Sequence, residues 1–233
     1  MEITEKVLDE HVDKIINVVK RIKEGKITII VGQNGTGKSL IRKQMNVRLQ
    51  KHYKENRNMI RHVSQQLRTE LRSDMGAFAC IAMDDPDSPT SMASYICTQR
   101  VMDYDKDKKY YIVLDEAEIG MSEESICGFC NYLDTQIPDL LEHTLGIMII
   151  THSSIIAEHF ITKYDCDFYN IGYNSVDTDF NRWRNRTIKP TNFEWLEQWS
   201  DALFRRVQKR SRIIKDKNKT NSSQNNNYKK DDF

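Results

Sequence analysis

The stretch that most constrains this chain is Gly32-Gln33-Asn34-Gly35-Thr36-Gly37-Lys38-Ser39. It fits G-x-x-x-x-G-K-[ST], a phosphate-binding loop. An apolar, β-branched run, Ile27-Thr28-Ile29-Ile30-Val31, precedes it, and a helix-forming stretch from Leu40 follows. That order predicts strand, loop and helix, the setting in which the motif binds phosphate. The glycines let the backbone close into a concave nest of N–H groups, which together with the helix N-terminus at Leu40 hold phosphate oxygens. Lys38 is placed for the β- and γ-phosphates of a nucleotide, and the Ser39 hydroxyl for Mg²⁺.

The 233 residues are enough for one α/β domain with appendages. Hydrophobic residues make up 39% and charged residues 30%. No apolar run approaches the ~20 residues of a membrane span, so no membrane partner is expected. The N-terminus lacks the apolar core of a signal peptide. Five scattered cysteines fit a reducing cytosol, so a cytoplasmic location is expected. Cys127 and Cys130 form a single C-x-x-C with no second pair for zinc, and read as core thiols. A net charge of +1 says nothing about partners.

Helical spacing of Val7, Leu8, Val12, Ile15, Ile16, Val19 and Ile22 predicts a helix over 5–24, stopped at Gly25. The helix after the loop runs to about Tyr53 and leads into a basic stretch, Arg42, Lys43, Arg48, Lys51, Lys54, Arg57 and Arg61. Such a run is a solvated face or a nucleic-acid backbone contact. A short strand at 59–64 is followed by Gln65-Gln66, and a helix is predicted over 91–102. Next comes Tyr110-Tyr111-Ile112-Val113-Leu114-Asp115-Glu116, an apolar strand ending in two acids and expected beside the first strand. Asp115 is placed to hold Mg²⁺, and Glu116 to orient or deprotonate an attacking water. A helix over 123–143 is expected to break or end near Pro138. A buried strand over 146–150 then ends in Thr151-His152-Ser153. Carboxyl ends of parallel strands converge on ligands, so His152 is a candidate for the γ-phosphate. A helix over 155–161 and a strand over 167–173 are followed by a loop or hairpin carrying Arg182, Arg184, Arg186 and Lys189. A helix over 192–208 has Trp195, Trp199, Leu203 and Phe204 at core or docking spacing. From Lys209 the composition turns polar and reads as a disordered tail.

These features together resemble the ATP-binding-cassette (ABC) ATPases over roughly residues 22–175. The loop has the asparagine and middle glycine that family favours, the acidic strand ends Leu-Asp-Glu as its Walker B does, and Thr151-His152 matches its switch histidine. Gln65 or Gln66 falls where the family has its Q-loop glutamine, a further Mg²⁺ ligand, and 117–122 resembles its D-loop. The soluble SMC, RecF and phage-type ATPases look nearer than transporter subunits. The family's L-S-G-G-Q signature has no glycine pair here: Ser91, 24 residues before Asp115 (115 − 91), stands at that place.

The resemblance implies Mg²⁺-dependent ATP binding and hydrolysis with Glu116, His152 and Lys38 as catalytic groups. It also implies an ATP-dependent homodimer, and action with a partner protein or nucleic acid. A nucleotide-binding regulatory module with little hydrolysis stands as the alternative, favoured by the altered signature. A small-molecule kinase is the other, with the 182–189 cluster as its lid. The expected fold is three-layered α/β with a mainly parallel sheet, ABC-like. It would comprise an N-terminal helix packed on the core (1–26), an ATPase domain (27–208) with a helical subdomain at 67–107, and the tail (209–233). ATP is expected at the carboxyl ends of the strands bearing Val31, Leu114 and Ile150.

Overall fold

The computed structural model describes residues 2–63, 90–173, 175–188 and 190–227. Gln65, Gln66 and the loop expected near 84–89 lie outside the described residues.

The chain begins with helix α1 (Glu5–Arg21), whose first turn is capped by Thr4: its hydroxyl accepts from the Val7 N–H at 3.3 Å. The helix stops before Gly25, because the chain turns extended at Ile22. There Arg48 takes the carbonyls of Val19 and Ile22. Strand β1 (Ile27–Gly32) follows, then α2 (Lys38–Tyr53), β2 (Ile60–Val63), α3 (Thr90–Met102) and β3 (Tyr111–Asp115). Next are α4 (Glu123–His143), β4 (Ile147–Ile150), α5 (Ser154–Lys163) and β5 (Cys166–Ile171). The two-residue β6 (Val176–Asp177), the short α6 (Phe180–Arg184) and α7 (Phe193–Asn227) complete the chain.

The six strands form one sheet in the order β2-β3-β4-β1-β5-β6. Every pairing is parallel except β5 with β6. The central strands are apolar on both faces because helices cover both. On one face Ile30, Val113, Met148 and Ile150 pack against Ile15 and Val19 of α1 and Ile41 and Met45 of α2. On the other, Ile29, Leu114 and Ile149 meet Phe129 and Leu133 of α4 and Phe160 of α5. The fold is the expected three-layered, mainly parallel α/β arrangement.

Several details differ from the sequence reading. Strand β3 is not beside β1: β4 lies between them, with Ile150 opposite both Ile30 and Asp115. Helix α4 runs through Pro138, held by the buried Ile137 and Leu140 on either side. Residues 176–184, expected as loop or hairpin, form β6 and α6, with Trp183 buried on the sheet. Helix α7 runs on past Gln208 to Asn227, over a stretch that has no glycine or proline to interrupt it. The N-terminal helix also does more than lie on the core: Leu8 and Val12 of α1 form a separate apolar cluster with Trp199 and Leu203 of α7.

Two of the basic side chains serve the fold itself. Arg61 takes the carbonyls of Arg100, Val101 and Asp103 at the end of α3. Together with Arg48, it satisfies helix-end carbonyls that have no partner within their own helix.

Candidate nucleotide site

The loop at 33–37 is built by the strand before it and braced from outside by α1 and α7. His11 donates from Nε2 to the Thr36 carbonyl at 2.8 Å, and the Tyr173 hydroxyl donates to the Asn34 carbonyl at 2.9 Å. A trans peptide sends its C=O and the following N–H in opposite directions. Drawing these two carbonyls outward turns the N–H groups of Gly35 and Gly37 toward the concave side. Both glycines have positive φ, +73° and +89°. Both are also hemmed in from behind. A Cβ at Gly35 would lie 2.4 Å from Ser200 Oγ, and one at Gly37 would lie 2.6 Å from Ile15 Cδ1. Conformation favours glycine at both positions, and any larger residue would also have to displace side chains of α1 or α7. Gln33 contributes through its carbonyl, which accepts from the Thr36 hydroxyl at 2.8 Å.

Lys38 opens α2 and turns back into the loop. Its ammonium donates to the carbonyls of Gly32 and Gln33, both at 3.1 Å. It also lies 2.9 Å from His152 Nε2 and 3.5 Å from Glu116 Oε1. His152 Nε2 is in turn 2.8 Å from Glu116 Oε1. The insertion of β4 between β1 and β3 explains this triangle: it sets His152 between the loop lysine and the acid. Burial lowers the Lys38 pKa, against the raising effect of Glu116. The hydrogen bond to His152 lowers the Glu116 pKa, keeping that carboxylate ionised as a proton acceptor.

Asp115 sits deeper, and burial pushes its pKa up to about 6 despite Arg42, whose Nε is 3.9 Å from its Oδ2. Arg42 also helps burial hold His62 of β2 down to about 4. Among the described residues, the Ser39 hydroxyl and the Asp115 carboxylate are oxygens that could hold a divalent cation. They suit Mg²⁺, which takes one or two protein oxygens and fills its other positions with phosphate and water. The like charges of Glu116 and Glu118, which help raise Asp115, are what a cation would offset.

Glu118 was not expected as a site residue. It is buried, accepts from the Thr151 hydroxyl and takes the His152 N–H at 3.3 Å. It thus ties the turn after β3 to the end of β4 and fixes where His152 stands. Its only sequence signal is its place as the third acid in Asp115-Glu116-Ala117-Glu118. His11 was likewise read only as part of a helix.

The remaining expected residues are less central. Ser91 lies in the first turn of α3, while the neighbouring Ser94 hydroxyl ties that helix to the Ile119 carbonyl at 3.2 Å. Arg182 and Arg184 pair with Asp177 and Glu158, and Arg186 stacks on Trp183. Cys130 is buried and burial pushes its thiol up to about 12, far from a reactive thiolate. Among the described residues no helix is long and apolar enough to cross a membrane.

Neither a protein-family model nor a curated protein matches the sequence. Solved structures do. "Dimeric Structure of MJ0796, a Bacterial ABC Transporter Cassette" matches at 13% identity and TM-score 0.44, over 68% of this chain and 87% of that one. "Structure of ATP binding subunit of ABC transporter" matches at 15% and 0.38, over 77% and 89%. "Structure of C. elegans PCH-2" matches at 15% and 0.35, over 72% of this chain and 41% of the other. The sheet order and the loop geometry, rather than these loose likenesses, define the fold as a P-loop α/β domain.

Proposed function

We propose that this chain is an ABC-type ATPase that binds Mg²⁺ and ATP and hydrolyses the γ-phosphate, as a switch or motor acting with a partner protein or nucleic acid. The observation that carries this reading is the contact triangle of Lys38, His152 and Glu116 at the mouth of a glycine-built loop.

In this reading the backbone N–H groups of residues 33–40 hold the phosphate oxygens. Lys38 leaves its carbonyl partners for the β- and γ-phosphates and offsets charge that develops there. Glu116, kept ionised, takes the proton of the attacking water. His152 stands within reach of both the acid and the transferring group, and Glu118 holds it there through the backbone. Ser39 and Asp115 would hold Mg²⁺, with the Q-loop glutamine, Gln65 or Gln66, as a further ligand. The metal would supply charge neutralisation for the phosphates. The triangle of groups is suited to water as acceptor, which favours hydrolysis over transfer to a small molecule.

Glu116→Gln keeps the shape of the side chain but removes the proton acceptor. Phosphate release should fall by roughly 10²–10⁴-fold, while ATP affinity measured by calorimetry stays within a few-fold of the wild type. Wild-type turnover in this variant would sink the base assignment. Tight ATP binding by the wild type without any phosphate release would instead mark a regulatory module.

A further inference from the structure

A cleft of about 650 Å³ opens beside the loop, between the start of α2 and the first half of α7. Gly35, Gly37 and Ser39 form its inner end. Leu203, Phe204 and Val207 of α7 form an apolar wall, and Lys43 and Gln208 stand at its polar edge. Leu203 is buried, but Phe204 is 60% exposed although it belongs to the face that lines the cleft. An aromatic ring left open at a cleft that continues into a phosphate loop has a definite chemical use. Nucleobases stack on such rings whatever their sequence, because every base has a π-face.

The volume is that of a small-molecule site, for which ~300–1,000 Å³ is usual, and the lining has the usual mix of apolar surface with a few polar groups. The direction is also right. Ser39, Leu40 and Lys43 occupy the first turns of α2 and line the cleft, directly after Lys38 in the chain, so a ligand whose terminal phosphate is anchored at Lys38 can extend along α2 into it.

We propose that this cleft is the nucleoside subsite, with the base of the bound nucleotide packed on Phe204 against Leu203 and Val207, and Lys43 and Gln208 flanking it. The inference rests on the nucleotide-binding reading of the loop. It makes α7 part of the ligand site as well as the brace behind Gly35. One helix then senses both halves of the nucleotide: its Ser200 backs the phosphate loop and its Phe204 covers the base.

Calorimetry with ATP and with inorganic tripolyphosphate, each with Mg²⁺, separates the two claims. Wild-type protein should bind ATP more tightly than tripolyphosphate. Phe204→Ala, at an exposed position that the fold tolerates, should weaken ATP about tenfold and leave tripolyphosphate within about twofold. Phe204→Trp should keep ATP affinity. Lys38→Ala should weaken both ligands alike. ATP affinity unchanged in Phe204→Ala, or equal wild-type affinity for the two ligands, would overturn the subsite while leaving the phosphate site standing. A change of oligomeric mass in Phe204→Ala without a change in ATP affinity would also overturn it, assigning the ring to a protein contact. Failure of the wild type to bind either ligand would remove the nucleotide reading and the subsite with it.

Discussion

Glu116 adopts φ +54°, a left-handed conformation that a residue with a β-carbon disfavours by roughly 1–3 kcal/mol. The ladder bond from its N–H to the Ile150 carbonyl, at 2.8 Å, and the turn closed by the Ile119 N–H hold it there. That twist brings the carboxylate onto His152 and Lys38 rather than continuing along the strand. His11 is the other telling residue. Burial lowers its pKa below the ordinary 6.5, so the fold favours the neutral ring that donates to Thr36, and its buried Nδ1 has no partner among the described residues. The sign follows directly. Below pH 6.5 the unfolded chain takes up a proton that the folded chain refuses, so stability present above 6.5 is lost as pH falls toward the folded value. His11→Gln can still donate to Thr36 but does not titrate. Urea unfolding at pH 7.0 and pH 5.5 should show a smaller loss of stability in the variant than in the wild type, and equal losses would refute the assignment. That Lys38, Glu116 and His152 meet was legible in the sequence, because a glycine-rich loop and the polar residues after apolar parallel strands gather at one end of such a sheet. Glu118 and His11 were not, because their roles come from burial across the fold, 33 residues from Thr151 and 25 from Thr36, and no local pattern marks that.

Helices α1 and α7 form a clamp behind the loop. Trp199 is fully buried, with its ring edge-on to His11 at 5.3 Å and to Tyr173 at 5.5 Å, the two residues that hold the loop carbonyls. Arg206 of α7 pairs with Glu5 and Asp9 of α1, and Arg210 with Asp13. Removing the indole should therefore act twice. Trp199→Ala should cost about 3–5 kcal/mol of stability through the cavity it leaves. It should also weaken ATP binding by loosening the loop. Trp199→Phe should cost less on both counts, since it keeps the ring contacts and removes an indole N–H that has no hydrogen-bond partner among the described residues. Chemical denaturation together with ATP titration of both variants would check this; full ATP affinity in a folded Trp199→Ala protein would show that the clamp is purely structural. Strands β1 to β5 were readable from apolar runs, α2 from the loop motif before it, and α5 and the extent of α4, though not its passage through Pro138, from their composition. The sheet order was not, since nothing local says that β4 slips between β1 and β3. The extent of α7 was equally hidden, because its polar second half lacks the apolar stripe by which helices are recognised.

At the scale of the whole molecule, the chemistry faces outward. The side chains of His152 and Glu116 are 42% and 21% exposed, at the carboxyl ends of β4 and β3. Water-excluded surroundings strengthen the electrostatics of phosphoryl transfer, and the described residues leave both side chains partly open to water. On the proposed hydrolytic reading, a further surface closes over the triangle during turnover. The net charge of +1 sets no long-range repulsion between two copies, and an ABC-type reading assigns the closing surface to a second copy. That copy would present the first turn of α3, where Ser91 stands without the family's glycine pair; a helix N-terminus offers free N–H groups to a phosphate even so. The Glu116→Gln protein, expected to hold ATP without consuming it, is the form in which closure should accumulate. Its mass by light scattering should double when Mg²⁺ and ATP are both present and fall back when the metal is chelated. Ser91→Glu, which sets a negative charge against the partner's phosphates, should abolish the doubling while leaving ATP affinity of the monomer intact. A mass that stays monomeric with nucleotide bound would refute closure by a second copy and assign the missing wall to a different protein, whose addition would then be required for turnover.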